Sequence, residues 1–105
     1  MEGIELIAFQ IIANVGNARS NYIEAIQMAK QGNFEVANDL VTEGDKAFVE
    51  GHHAHMELIQ REANNEQVAT KLILMHAEDQ LMSAESFKII AQELIEIYQK
   101  FESLN

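Results

Sequence analysis

Proline is absent from all 105 residues, and glycine occurs only five times. Nothing in the chain forces a helix to stop, while an all-β fold would lack the turn residues it needs. The pattern laid over this permissive background is helical. Ile4, Ala8, Ile11, Val15, Ala18, Tyr22, Ala25 and Ala29 alternate steps of four and three, a sustained heptad stripe. Gln31-Gly32-Asn33 follows and supplies a glycine C-terminal cap.

A second helix is expected from about Phe34, through Ala37, Val41, Phe48, Met56 and Ile59. Gly44 and Gly51 interrupt it, each at a cost of about 1 kcal/mol relative to alanine; close helix packing or a kink would explain them. Ala63-Asn-Asn-Glu66 reads as a polar break, with Asn65 as N-cap of a third helix from about Glu66 to Phe101. In its second half Phe87, Ile90, Leu94, Ile97 and Phe101 form one stripe, with Glu93, Glu96 and Lys100 turned away. Short loops between long helices favour an all-α, up-down-up antiparallel three-helix bundle.

At this length residues 1–105 make one domain with one modest core. The 48% hydrophobic content excludes a disordered chain. Seventeen acidic residues against seven basic ones give a net charge of −10, which argues against nucleic acid and anionic membranes and for a partner with a basic face. Without cysteine there is no disulfide or thiolate chemistry. Met1-Glu-Gly-Ile-Glu5 lacks a signal peptide's basic region, and no apolar run approaches the roughly 20 residues of a membrane span. A soluble, cytoplasmic protein is expected.

The stretch with most chemistry is His76-Ala-Glu-Asp79, set between Leu72-Ile-Leu-Met75 and Leu81-Met82. Four successive apolar residues cover the whole circumference of a helix, and a helix apolar all round is buried all round. Three helices can each bury only one face, so cover from another copy is expected; the alternative is a loop or helix end folded over the patch. Asp79 shares a face with Leu72, Met75, Met82 and Ser86. A carboxylate at such a position sets register or oligomeric state, and several converging on an axis need a shared proton or a cation. Against that stands a plain surface aspartate. His76 can be nucleophile, base or ligand, or a hydrogen-bonded core residue, and spacing alone does not choose.

Glu50-Gly-His-His-Ala-His55 invites a metal reading. Glu50 and His53 make one Glu-x-x-His pair, but a di-iron bundle needs a second pair, which is lacking. His52 and His55 could instead face His76 across a helix interface, and His53 fits a solvated face equally well. Phosphate loops, nucleophile elbows and zinc-protease motifs are missing.

Three blocks resemble the enzyme IIA component of the lactose/cellobiose branch of the bacterial sugar phosphotransferase system. They are Ile12-Ala-Asn-Val-Gly-Asn-Ala-Arg-Ser20, Glu50-Gly-His52 running on to Leu58-Ile59, and Leu74-Met-His-Ala-Glu-Asp-Gln-Leu-Met82; Lys30-Gln-Gly-Asn-Phe34 resembles the first interhelical turn. The resemblance implies that His76 accepts a phosphoryl group from the phosphocarrier protein HPr and passes it to a cysteine of the sugar-specific IIB component, during uptake of a disaccharide such as lactose or cellobiose. It implies a homotrimer with Asp79 gathered on the three-fold axis around a divalent cation such as Mg²⁺. His52, Glu78 and Gln80 are the candidates for surrounding the phosphoryl site.

The chain also departs from the family pattern. Glu78 stands where the family commonly has glutamine, placing a negative charge near an incoming phosphoryl dianion unless it turns away or is protonated. His55-Met56 replaces Gln-Thr, and Gly51 replaces an alanine. The competing function is a non-catalytic metal-binding or adaptor bundle that uses its histidines as ligands.

Overall fold

Three long helices, α1 (Ile4–Lys30), α2 (Phe34–Ala63) and α3 (Leu72–Ser103), account for nearly all of the computed structural model, which describes residues 3–105. Met1 and Glu2, part of the segment searched for a leader, lie outside the described residues. No strand occurs among the described residues, and the bundle measures 58 × 23 × 20 Å. The expected up-down-up order holds: Lys71 at the start of α3 pairs with Glu5 at the start of α1, while Glu102 lies against Gly32 at the other end. α1 packs along both other helices, which touch each other far less.

The α1 stripe is the core. From Ala8 to Ala29 each of its residues is buried, and Tyr22, Ile11 and Val15 are the largest fully buried side chains. The glycines in α2 mark close approach, since the helix runs unbroken through both. A Cβ at Gly44 would stand 2.6 Å from Tyr22 Cε1, and one at Gly51 would stand 2.6 Å from Val15 Cγ1. Glycine here lets two α1 side chains reach the α2 backbone.

Both turns are Schellman motifs. Gly32 (φ 81°) donates its N–H to Ala29 O at 3.0 Å, and Asn33 donates to Met28 O at 2.9 Å. Asn65 (φ 63°) repeats the arrangement, its N–H bonding Glu62 O while Glu66 N–H bonds Arg61 O. Asn65 therefore ends α2 rather than starting α3, because its left-handed backbone closes the last turn of the helix before it. α3 starts at Leu72, not near Glu66; residues 66–71 form an irregular crossing whose Val68 packs on the core.

The second half of α3 also differs from expectation. Its buried face is Ala84, Ala91 and Ile95, continuing Leu74, Ala77 and Leu81, whereas Ile97 (48% exposed) and Phe101 (65%) face outward. Small residues let α3 lie close to α1, leaving the larger apolar side chains outside. The same inner seam carries Lys88, whose Nζ reaches Asp45 Oδ1 at 3.4 Å, and Tyr22 Oη donates to that oxygen at 2.6 Å. One carboxylate of α2 thus ties together α1 and α3.

Burial, followed by the hydrogen bond to Asp45, pushes the Tyr22 hydroxyl above the usual phenol range. A group whose pKa is raised by folding stabilises the fold below its unfolded pKa, about 10 for tyrosine, and loses that contribution as pH climbs beyond it. The midpoint of thermal unfolding should fall above about pH 10. Tyr22→Phe should flatten that fall while lowering stability at neutral pH by about 1.5–3 kcal/mol, the worth of a hydrogen bond to a charged group. Circular-dichroism melts across pH measure both, and identical alkaline slopes in the two proteins would refute the assignment.

Candidate functional site

α3 presents His76 and Asp79 only about 60° apart, since three residues turn a helix by about 300°, and the buried Ala77 lies on the opposite flank of His76. His76 is exposed. Among the described residues it makes no hydrogen bond or ion pair. Ala77 is fully buried, so no bulky side chain crowds the flank of the imidazole. The hydrogen-bonded core histidine allowed by the sequence is therefore not what the fold contains.

Beyond His76 on its open flank come Asp79 and then, about 200° round the helix from His76, Glu78. They line an open groove of about 530 Å³ between α2 and α3, with Met75 and Met82 beside them and His55, Leu58, Ile59 and Glu62 opposite. His55 Nε2 lies 3.9 Å from Glu78 Oε1. Glu78 has thus turned away, and its carboxylate is separated from His76 by the body of the helix, about 10 Å. Across that distance near water two unit charges interact by about 0.4 kcal/mol. For the phosphoryl transfer that the resemblance implies, Glu78→Gln should accordingly change the rate by no more than about twofold; a tenfold gain in a transfer assay would show that the carboxylate does reach His76.

Neither other histidine of α2 meets His76 in a contact of this chain. His52 is exposed, its ring stacked on Phe48 of its own helix at 6.3 Å between centroids and 12° between planes. His53 lines a separate groove of about 310 Å³ between α1 and α2 with Glu50, Glu57, Gln10 and Asn14. Gln80 is half-buried one turn beyond His76. Arg19, to which the sequence reading gave no role, lies against the same edge of α3: its guanidinium sits 4.8 Å from the Phe87 ring and Nε donates to Ser83 Oγ. Its only sequence signal was a place in the Ile12–Ser20 block.

The apolar patch is uncovered within one chain. Leu72 is 81% exposed, Met82 61% and Met75 57%, and Asp79 is exposed among them. Among the described residues no loop or helix end buries this stripe. Nor does one chain offer a metal cage: among the described residues no three histidine or carboxylate side chains converge. No helix among them is long and apolar enough to cross a membrane.

The family model for "PTS system, Lactose/Cellobiose specific IIA subunit" matches residues 6–99. The chain belongs to this family. A lichenan-specific phosphotransferase enzyme IIA component of Bacillus subtilis is 42% identical over 99 residues, covering 94% of this chain and 90% of that protein. The crystal structure of the cellobiose-specific enzyme IIA from Bacillus anthracis superimposes with a TM-score of 0.95 at 42% identity, covering 100% of this chain and 97% of that one. The IIA(chitobiose) chain from its solution complex with HPr, of the Escherichia coli N,N′-diacetylchitobiose branch, gives a TM-score of 0.82 at 31% identity, with 97% and 99% covered. The three-helix subunit is thus the family's own architecture.

Proposed function

We propose that this chain is a cytoplasmic phosphocarrier of the sugar phosphotransferase system, with His76 taking a phosphoryl group from HPr and handing it to a IIB component during uptake of a β-linked disaccharide or galactoside. The observation that carries this reading is the exposed imidazole of His76, unpartnered among the described residues and outside the groove that Glu78 and Asp79 line. A relay between proteins needs an accessible nucleophile and little else, since positioning and charge stabilisation supply most of phosphoryl-transfer catalysis. A ring nitrogen of His76 bonds to phosphorus as the bond from phosphorus to HPr breaks, and the donor keeps that electron pair. The second transfer repeats the exchange, with a IIB cysteine sulfur as the acceptor. Gln80, one turn along the same edge, is placed to donate to a phosphoryl oxygen.

Assembly belongs to the same reading. Three copies packed through Leu72, Met75 and Met82 would bring three Asp79 carboxylates together. One chain supplies a single hard oxygen ligand there, whereas three would suit a divalent cation such as Mg²⁺. That cation would neutralise converging charge and take no part in the transfer.

The test is direct. Incubated with phosphoenolpyruvate, enzyme I and HPr, each chain should acquire one acid-labile phosphate; a chain that acquires none is not a carrier, and the adaptor reading then takes its place.

A further inference from the structure

Arg19 is held in place, yet it has no carboxylate. Of the seven basic side chains, Lys46, Arg61, Lys71 and Lys88 are each paired with an acidic one, while Lys30 and Lys100 are exposed lysines with no ion pair among the described residues. Among the described residues no carboxylate lies within ion-pair distance of Arg19, although acids outnumber bases seventeen to seven. Nor is it a loose surface cation like an extended lysine. Half-buried, its guanidinium lies over the Phe87 ring at 4.8 Å, while Nε donates to Ser83 Oγ at 3.3 Å. The terminal Nη groups make no hydrogen bond among the described residues. A planar fork pinned in this way is pre-organised for a carboxylate and loses little entropy on pairing.

Its position says what would bring that carboxylate. From Phe87 back along α3, steps of four, three and four reach Ser83, Gln80 and His76, so all four share one edge of the helix. Ser83 lies about 10 Å along the axis from His76. A phosphoryl group on His76 is therefore out of reach of a guanidinium held beside Ser83. A protein seated over His76 is not, because a standard interface covers about 800 Å² per partner, a disc of roughly 16 Å radius.

On the carrier reading above, we infer that Arg19 anchors HPr as it delivers its phosphoryl group to His76, through a bidentate ion pair with a carboxylate on HPr. Arg19 acts by docking and touches no reacting atom.

Steady-state transfer from phosphorylated HPr to the full chain, run over a range of ionic strength, tests this. Arg19→Gln should raise KM about tenfold, the effect of losing 1.4 kcal/mol at one charge pair, and leave kcat within about twofold. It should weaken binding of unphosphorylated HPr by a similar factor and flatten the salt dependence. Arg19→Lys should regain part of the loss, and Phe87→Leu, which frees the guanidinium but keeps its charge, should raise KM by less. Unchanged KM in a folded Arg19→Gln protein would overturn the inference. So would an effect confined to phosphorylated HPr, or a loss of self-association with KM intact. If Arg19→Gln does not fold, Arg19→Lys and Phe87→Leu decide the matter, and unchanged KM in both overturns it. Should the wild-type chain accept no phosphate, the carrier reading fails, and the anchor stands or falls on HPr binding alone.

Discussion

His76→Ala should take up no detectable phosphate, while His52→Ala, His53→Ala and His55→Ala each remain competent acceptors. The four imidazoles are chemically alike, so environment must choose between them. His52 is stacked on Phe48, His53 opens on the α1–α2 groove beside Glu50 and Glu57, and His55 is committed to the groove of Glu78 and Asp79. A phosphoryl dianion approaching His53 or His55 meets carboxylates first, which repel it. His52 and His76 are both exposed and outside those carboxylate-lined grooves, but the His52 ring is stacked on Phe48, so His76 is the one with neither a carboxylate-lined groove nor a stacking partner among the described residues. The substitution should leave the melting temperature almost unchanged, since surface changes away from caps and buried networks usually stay within about 0.5 kcal/mol. Loss of label with intact stability therefore reports chemistry. Acid-labile phosphate persisting in His76→Ala would move the acceptor to another histidine, and the three companion variants would show which.

How much of this fold could be read in advance depends on residue size. The α1 stripe was legible because its members are apolar, regularly spaced and uninterrupted, and each from Ala8 to Ala29 is buried as expected. Gly32 was legible because glycine at a helix end is a strong signal for a left-handed backbone. Asn65 carries the same backbone in a weaker disguise, since asparagine serves as either N-cap or C-terminal cap. α3 was misread because it holds two heptad seams. Leu74, Ala77, Leu81, Ala84, Lys88, Ala91 and Ile95 form the inner one, and Leu72, Met75, Asp79, Met82, Ser86 and Ile89 form the outer one. Counting large apolar residues favours the outer seam or its neighbours, whereas close packing rewards the alanines. The inner seam also holds Lys88, a charge that a core seam accepts here because Asp45 of α2 supplies its partner.

The site divides in the same way. His76 and Asp79 were singled out by local context, because an imidazole and a carboxylate inside an apolar run demand a reason. Their directions, about 60° apart on the flank away from the core, follow from helix geometry once Ala77 is known to be buried. The pairing of His55 with Glu78 joins two helices through a contact no spacing rule predicts. The setting of Arg19 has the same origin, since Phe87 and Ser83 lie more than sixty residues away in sequence.

Met82→Asp should turn the assembled protein into single chains. The outer seam of α3 exposes Leu72, Met75 and Met82, and burying a side chain of that size contributes about 1.5–3 kcal/mol. Three such side chains from each of three chains would give an association seam a gross contribution of the same order as the cost of association, so the loss of one layer should tip the balance. In the proposed trimer Asp79 would work against it, since three converging carboxylates repel unless a cation or a shared proton lies between them. Removing divalent cations with a chelator should therefore loosen the wild-type assembly. Asp79→Leu should keep it or tighten it, and should make it indifferent to chelation, because replacing buried charge with apolar bulk is often stabilising. Met82→Asp adds a second ring of carboxylates one turn further along and removes an apolar layer, and no single cation compensates both. Light scattering with sedimentation separates these cases. A wild-type chain that is monomeric under every condition would end the trimer argument. A Met82→Asp protein of unchanged mass would move the interface to another face of the bundle.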